Sequence, residues 1–114
     1  MISSRAIAHH SFAAEFSASA PVHLKGIITR IDFINPHVWI YLDIKKPDGT
    51  IENWHIEMTA PNRLARQGVT RNSLPIGSEV SVSALRAKDG RTRAKGRELT
   101  LPDGRKVFVE SQEK

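Results

Sequence analysis

Four histidines stand where their side chains can do chemistry: His9 and His10, adjacent near the start of the chain, and His37 and His55, on two segments with strand character. Neutral imidazole suits copper, zinc or nickel, and a borderline site can be built from two or three histidines with a carboxylate. The expected metal ligands are therefore His9, His10, His37 and His55, with copper or zinc as the cofactor. A chain cleaved after Ala8 begins with His9, whose α-amine and imidazole can chelate one ion together. Cleavage one residue earlier leaves Ala8-His9-His10, where an amine, deprotonated amides and an imidazole can enclose Cu(II) in a square plane. Both versions need a free amine, which an uncleaved Met1 removes. The plainer alternative is that the pair is a polar start to an arm, and the spacing matches no zinc pattern such as H-E-x-x-H.

Stacking is the second chemistry. Trp39, Tyr41, Asn53 and Glu57 are the expected ligand-binding residues, for a small ligand first and a nucleic acid or other polyanion as the alternative, displayed with His37 and His55 on one face of two paired strands. Bases stack on exposed rings for about 1–3 kcal/mol each where basic residues guide the phosphates. Asp43 and Glu57 on the same face oppose that use, and cross-strand packing or cover by an arm carrying Phe12 and Phe16 explains the rings equally well. Protein contact through Trp39 and Tyr41 is a third use. Ser11 beside His10, or Glu57 beside His55, can be drawn as acid–base pairs, but no third orienting group accompanies them. No G-x-S-x-G, P-loop or dinucleotide fingerprint is present, so a non-enzymatic protein is expected.

These residues need elements to position them. Residues 22–34, VHLKGIITRIDFI, are rich in β-branched side chains. Val22, Leu24 and Ile28 suit one face and Ile27, Ile31 and Phe33 the other, with Gly26 at the break, as in a long bent strand. After the Asn35-Pro36 turn, residues 37–45 alternate strictly, with Val38, Ile40, Leu42 and Ile44 opposite His37, Trp39, Tyr41 and Asp43. Lys46-Pro47-Asp48-Gly49-Thr50 closes a hairpin, and in the return strand Trp54, Ile56 and Met58 face inward while Asn53, His55 and Glu57 face outward. That register places Tyr41 near His55 and Trp39 near Glu57. Thr59 is the expected cap of a helix over residues 62–67 that Gly68 stops, and residues 78–85, 92–101 and 106–109 supply the later strands. The order predicts a mainly β, OB-fold-like Greek-key barrel of five to six antiparallel strands, with one short helix between the third and fourth.

The bulk properties set limits. A chain of 114 residues supports one domain, and no apolar run approaches the roughly 20 residues a membrane helix needs. Without cysteine there are no disulfides, thiolate zinc sites or cysteine nucleophiles. A net charge of +5 permits a nucleic acid, anionic lipid or acidic polymer as partner, although the late basic residues, diluted by Asp89, Glu98 and Asp103, also make a solvated face. Residues 1–8, MISSRAIA, end in an A-x-A-like site but lack the basic start and apolar stretch of a whole signal. They are read as the remnant of an export signal, which makes the protein periplasmic or secreted. Residues 9–21 are then an N-terminal arm, 22–109 the barrel and 110–114 a flexible tail.

Taken together, AHHSFAAEF, INPHVWIYLDI, NWHIEM, APNRLARQGVTRNSL, GSEV and AKDGRTRAKGRELTLPDGR resemble a family of small exported bacterial proteins known only as a domain of unknown function. The resemblance runs from about Ala8 to Phe108 and implies export, with a signal ending just before HHSF. It carries over His9, His10, Phe12, Asn35, Pro36, His37, Trp39 and Trp54, and no activity. His55 departs from it, because a small or apolar residue is more usual there. A site built on His9, His10 and His37 is thus implied to be general and one built on His55 peculiar to this protein.

Overall fold

The structure, a computed structural model, describes residues 16–111. Strands β1 (Phe16–Asp32), β2 (Trp39–Lys45) and β3 (Ile51–Glu57) are followed by helix α1 (Pro61–Arg66). A short 3-10 turn (Arg71–Ser73) then leads to β4 (Glu79–Ala87), β5 (Arg93–Thr100) and β6 (Lys106–Phe108). The sheet order is β3-β2-β1-β4-β5-β6, and an additional β3–β5 pairing closes it into a ring. Five strands make the ring and β6 lies against the outer end of β5, as the expected OB-type barrel with one short helix after β3. The closing seam pairs His55, Ile56 and Glu57 with Arg93, Ala94 and Lys95 in parallel.

The first strand begins earlier than residue 22: Phe16 already pairs with Ala87, and Pro21 to Ile27 run antiparallel to β4. Its inward row is Leu24, Gly26 and Ile28, after which Thr29 is the extra residue of a bulge, since Ile28 pairs with Leu42 and Arg30 with Tyr41. The change of phase therefore falls at Thr29 and not at Gly26. Ile31 returns to the core while Ile27, expected to share its face, is 39% exposed. Gly26 answers a different need, because a Cβ there would lie 2.6 Å from the Asp43 carbonyl oxygen and 2.8 Å from Ile44 Cγ1.

The β2–β3 hairpin has the expected register, with Trp39 opposite Glu57, Tyr41 opposite His55 and Leu42 opposite Trp54. Gly49 takes its positive φ in the loop, and Asp48 Oδ1 accepts hydrogen bonds from the Thr50 backbone N–H and hydroxyl. Val38, Ile40 and Leu42 from the β2 side meet Ile56, Met58, Val80, Val82 and Leu99 in one buried cluster. Each such side chain contributes about 1.5–3 kcal/mol on burial, so this shared interior dominates the stability of the ring.

Helix α1 starts with Pro61 in its first turn and Ala60 at the N-cap, with no side-chain cap. Thr59, the expected cap, is instead a buried rung: its N–H donates to Val109 O and its carbonyl accepts from Val38 N–H. Gly68, at φ +80°, ends the helix, and the buried Leu64 joins the core cluster. Glu110 and Ser111, the first residues of the expected tail, follow Val109 along this edge, and Ser111 is buried.

Candidate functional site

The outer face of the barrel carries one in-register row across four strands. Arg30 on β1 pairs with Tyr41 on β2, Tyr41 with His55 on β3, and His55 with Arg93 on β5 across the seam. Cross-strand partners point to the same side of a sheet, so two cations flank a phenol and an imidazole. The bulge at Thr29 makes this possible, because it shifts Arg30 onto the outward row opposite Tyr41.

The central contacts are specific. The rings of Tyr41 and His55 meet edge to face with centroids 4.6 Å apart, and the Arg30 guanidinium carbon lies 5.2 Å from the Tyr41 centroid. Arg30 Nε donates to Asp32 Oδ1 at 2.9 Å, and the Tyr41 hydroxyl donates to Asp32 Oδ2 at 3.0 Å. The hydrogen bond from Arg30 holds the Asp32 carboxyl below the usual carboxylate range, and Arg30 is raised in turn. Burial, followed by the bond to Asp32, raises the Tyr41 phenol, so it stays a neutral donor.

His55 continues the network sideways. Its Nε2 lies 2.9 Å from Asn53 Oδ1, and Asn53 Nδ2 donates to Asp43 Oδ1 at 2.9 Å. With the Asn53 amide oriented by Asp43, its oxygen can only accept, which assigns the His55 proton to Nε2. The Thr92 hydroxyl donates to Asn53 O, and His55 N–H donates to Thr92 O, fastening this part of the row at the seam.

His37 belongs to a separate network. Its Nδ1 is paired with Glu57 Oε2, and its Nε2 lies 3.0 Å from the Ser111 hydroxyl. The His37 and Glu57 side chains are only 16% and 18% exposed. Both ring nitrogens are therefore engaged, and an ion could reach Nε2 only by displacing Ser111.

Of the residues expected to form a site, Tyr41, Asn53 and His55 are brought into one hydrogen-bonded and stacked group. Trp39 lies half-buried opposite Glu57, which turns to His37. His37 and His55 end in different networks, and His9 and His10 lie outside the described residues. Among the described residues no group of three or more histidines and carboxylates is placed to hold a metal ion. Sequence reasoning missed Arg30, Asp32, Arg93 and Ser111. A basic residue within the first strand was a signal for Arg30, whereas nothing local pointed to the other three.

One of the comparisons with known proteins, that with solved structures, bears on this architecture. The sequence pattern of a family described as "Family of unknown function (DUF6152)" matches residues 1–97. No curated protein matches the chain. The fold is similar to the dimeric N-terminal domain of the PriB protein from Thermoanaerobacter tencongensis, with a TM-score of 0.53 and 18% identity. That likeness covers 73% of this chain and 96% of the other, and at such identity it speaks for the fold alone.

Proposed function

The chain belongs to a family of unknown function, DUF6152, and from that premise we propose that it is a binding protein for a single-stranded polyanion, nucleic acid above all, held across the outer face of β1, β2, β3 and β5. The row Arg30, Tyr41, His55, Arg93 carries this reading. Flat rings flanked by cations are what a flexible anionic strand requires, with stacking for the bases and charge for the phosphates. A base stacks on the exposed side of the Tyr41–His55 pair, and Arg30, still bonded to Asp32 through Nε, offers its terminal nitrogens to the adjoining phosphate. The acidic residues of the face are less of an obstacle than their number suggests, since Asp32 is bonded to Arg30 and Tyr41, Asp43 to Asn53, and Glu57 to His37. The net charge of +5 favours the encounter.

The test is titration of an oligothymidylate at low and high salt, read by tryptophan fluorescence. Salt-sensitive binding is expected, weakened by about tenfold or more in Tyr41→Ala, the equivalent of about 1–3 kcal/mol for one stacked base. Absence of a titration at low salt, or wild-type affinity in both Tyr41→Ala and Arg30→Ala, overturns the reading.

A second reading, metal binding by an exported protein, is supported by one observation. A carboxylate on the far nitrogen of an imidazole is the usual outer-shell support of a metal-ligating histidine, and Glu57 stands in that relation to His37. Nε2 of His37 is then the ligating atom, with His9 and His10 as further ligands, and copper or zinc as the ion. Zn(II) and Cu(II) uptake by the chain with its native amino terminus tests it, and equal uptake by His37→Ala sinks it.

A further inference from the structure

The polyanion row leaves unused a second feature, where α1 meets β6. A cleft of about 240 Å³ is lined there by Thr59, Arg63, Arg66, Gln67, Phe108 and Glu110. Phe108 is 66% exposed although it sits in a strand. Its backbone is fixed on both sides: it pairs with Glu98 of β5, while the Gln67 amide donates to Phe108 O and accepts from Phe108 N–H at 2.9 Å. The open ring is thus presented from a fixed backbone, so binding need order only the side chain.

Arg63 and Arg66 lie in the last turn of α1, three residues apart and so on one face of the helix. Among the described residues neither is paired with a carboxylate. The carboxylate of the cleft, Glu110, is held by Arg97 at 3.6 Å. Two guanidinium groups with no carboxylate partner among the described residues therefore line a cleft that also carries the exposed ring of Phe108. Guanidinium matches the oxygens of a phosphate in paired hydrogen bonds, and the face of Phe108 accepts a flat ring. The volume suffices for a phosphate and one ring but falls below that of ordinary sites for drug-sized ligands, about 300–1,000 Å³.

We propose that this cleft binds a small aromatic phosphate, with the phosphate on Arg63 and Arg66 and the ring on Phe108. The site is independent of the row on the barrel face and of any strand bound there. It is tested on the full chain by following the amide signals of Gln67 and Phe108 in NMR titrations with phenyl phosphate, adenosine 5′-monophosphate and inorganic phosphate. The expected result is saturable shifts with at least one of the two aromatic phosphates and weaker binding of inorganic phosphate. Affinity should fall by about tenfold or more in the Arg63→Ala, Arg66→Ala double variant, as for lost charge-assisted hydrogen bonds, and in Phe108→Ala it should fall to that of inorganic phosphate. All three side chains are on the surface, so the core is untouched, and an unchanged thermal melt checks this. Tyr41→Ala should bind as wild type does. Absence of saturable shifts with both aromatic phosphates, inorganic phosphate binding as tightly as they do, full affinity in the double variant, or equal weakening by Tyr41→Ala each overturns the proposal.

Discussion

Replacing Gly26 by alanine asks whether the close crossing of β1 and β2 governs the outer face. Gly26 is not among the glycines with positive φ, so alanine meets no backbone penalty there and the whole effect is steric. The added methyl carbon would lie 2.6 Å from the Asp43 carbonyl oxygen, 2.8 Å from Ile44 Cγ1 and 3.2 Å from the Asp43 carbonyl carbon. Carbon atoms rest at roughly 3.5–4.0 Å, so the strands must part by about 1 Å at a point where both are paired. Overpacking costs about 1–3 kcal/mol, and a contact with backbone on its far side belongs at the upper end. At about 4–8 °C per kcal/mol for a domain near this size, 3 kcal/mol lowers Tm by about 12–24 °C. Asp43 is also the anchor of Asn53 and, through it, of His55, so the His55 ring signals in NMR should move as the protein destabilises. Gly77→Ala is the control, with open space around the new Cβ but a φ of +92°. It should cost about 1–2 kcal/mol through the backbone alone and leave His55 unmoved. A Gly26→Ala melt indistinguishable from wild type, with unchanged His55 signals, would refute the reasoning.

Two further perturbations probe the networks beside it. The Asp32 carboxyl is held below its ordinary range by Arg30, so it binds fewer protons in the folded chain than in the unfolded one; its stabilising effect is complete at neutral pH and is lost as pH falls through the depressed value. Asp32→Asn should therefore lower Tm at neutral pH by an amount that shrinks on acidification, and a gap independent of pH counts against the Arg30 contact. His37→Ala strips the poorly exposed Glu57 carboxylate of its partner and releases Ser111, which should cost about 1–3 kcal/mol in denaturant melts and speed carboxypeptidase trimming of the end of the chain. Unaltered stability and trimming would mean that the pair holds nothing in place.

Much of the barrel was legible because its central hairpin obeys a simple rule. Strict alternation over residues 37–45 and a Pro-Asp-Gly turn determine which side chains oppose each other, and Tyr41 meets His55 accordingly. The bulge was not legible, because the residue that becomes extra depends on the partner strand; glycine drew attention to position 26, while the ladder slips at Thr29. Thr59 has the chemistry of a cap, yet its backbone is already committed to Val38 and Val109, so the cap position falls to Ala60 and the helix spans Pro61–Arg66 instead of 62–67. Ser111 reaches His37 from 74 residues away, and Arg93 joins the row only through the parallel seam; no local periodicity reports either contact.

If the outer face binds a polyanion as proposed, that seam ties capture to the integrity of the ring. It has three residue pairs and is the parallel ladder among antiparallel ones, a pairing slightly weaker per residue. The row of Arg30, Tyr41, His55 and Arg93 runs across it, so parting β3 from β5 cuts the row between its third and fourth members. A strand lying along all four residues acts as a staple over the weakest join of the cylinder. On that proposal binding and ring closure would be one linked equilibrium, in which an occupied face favours the closed barrel.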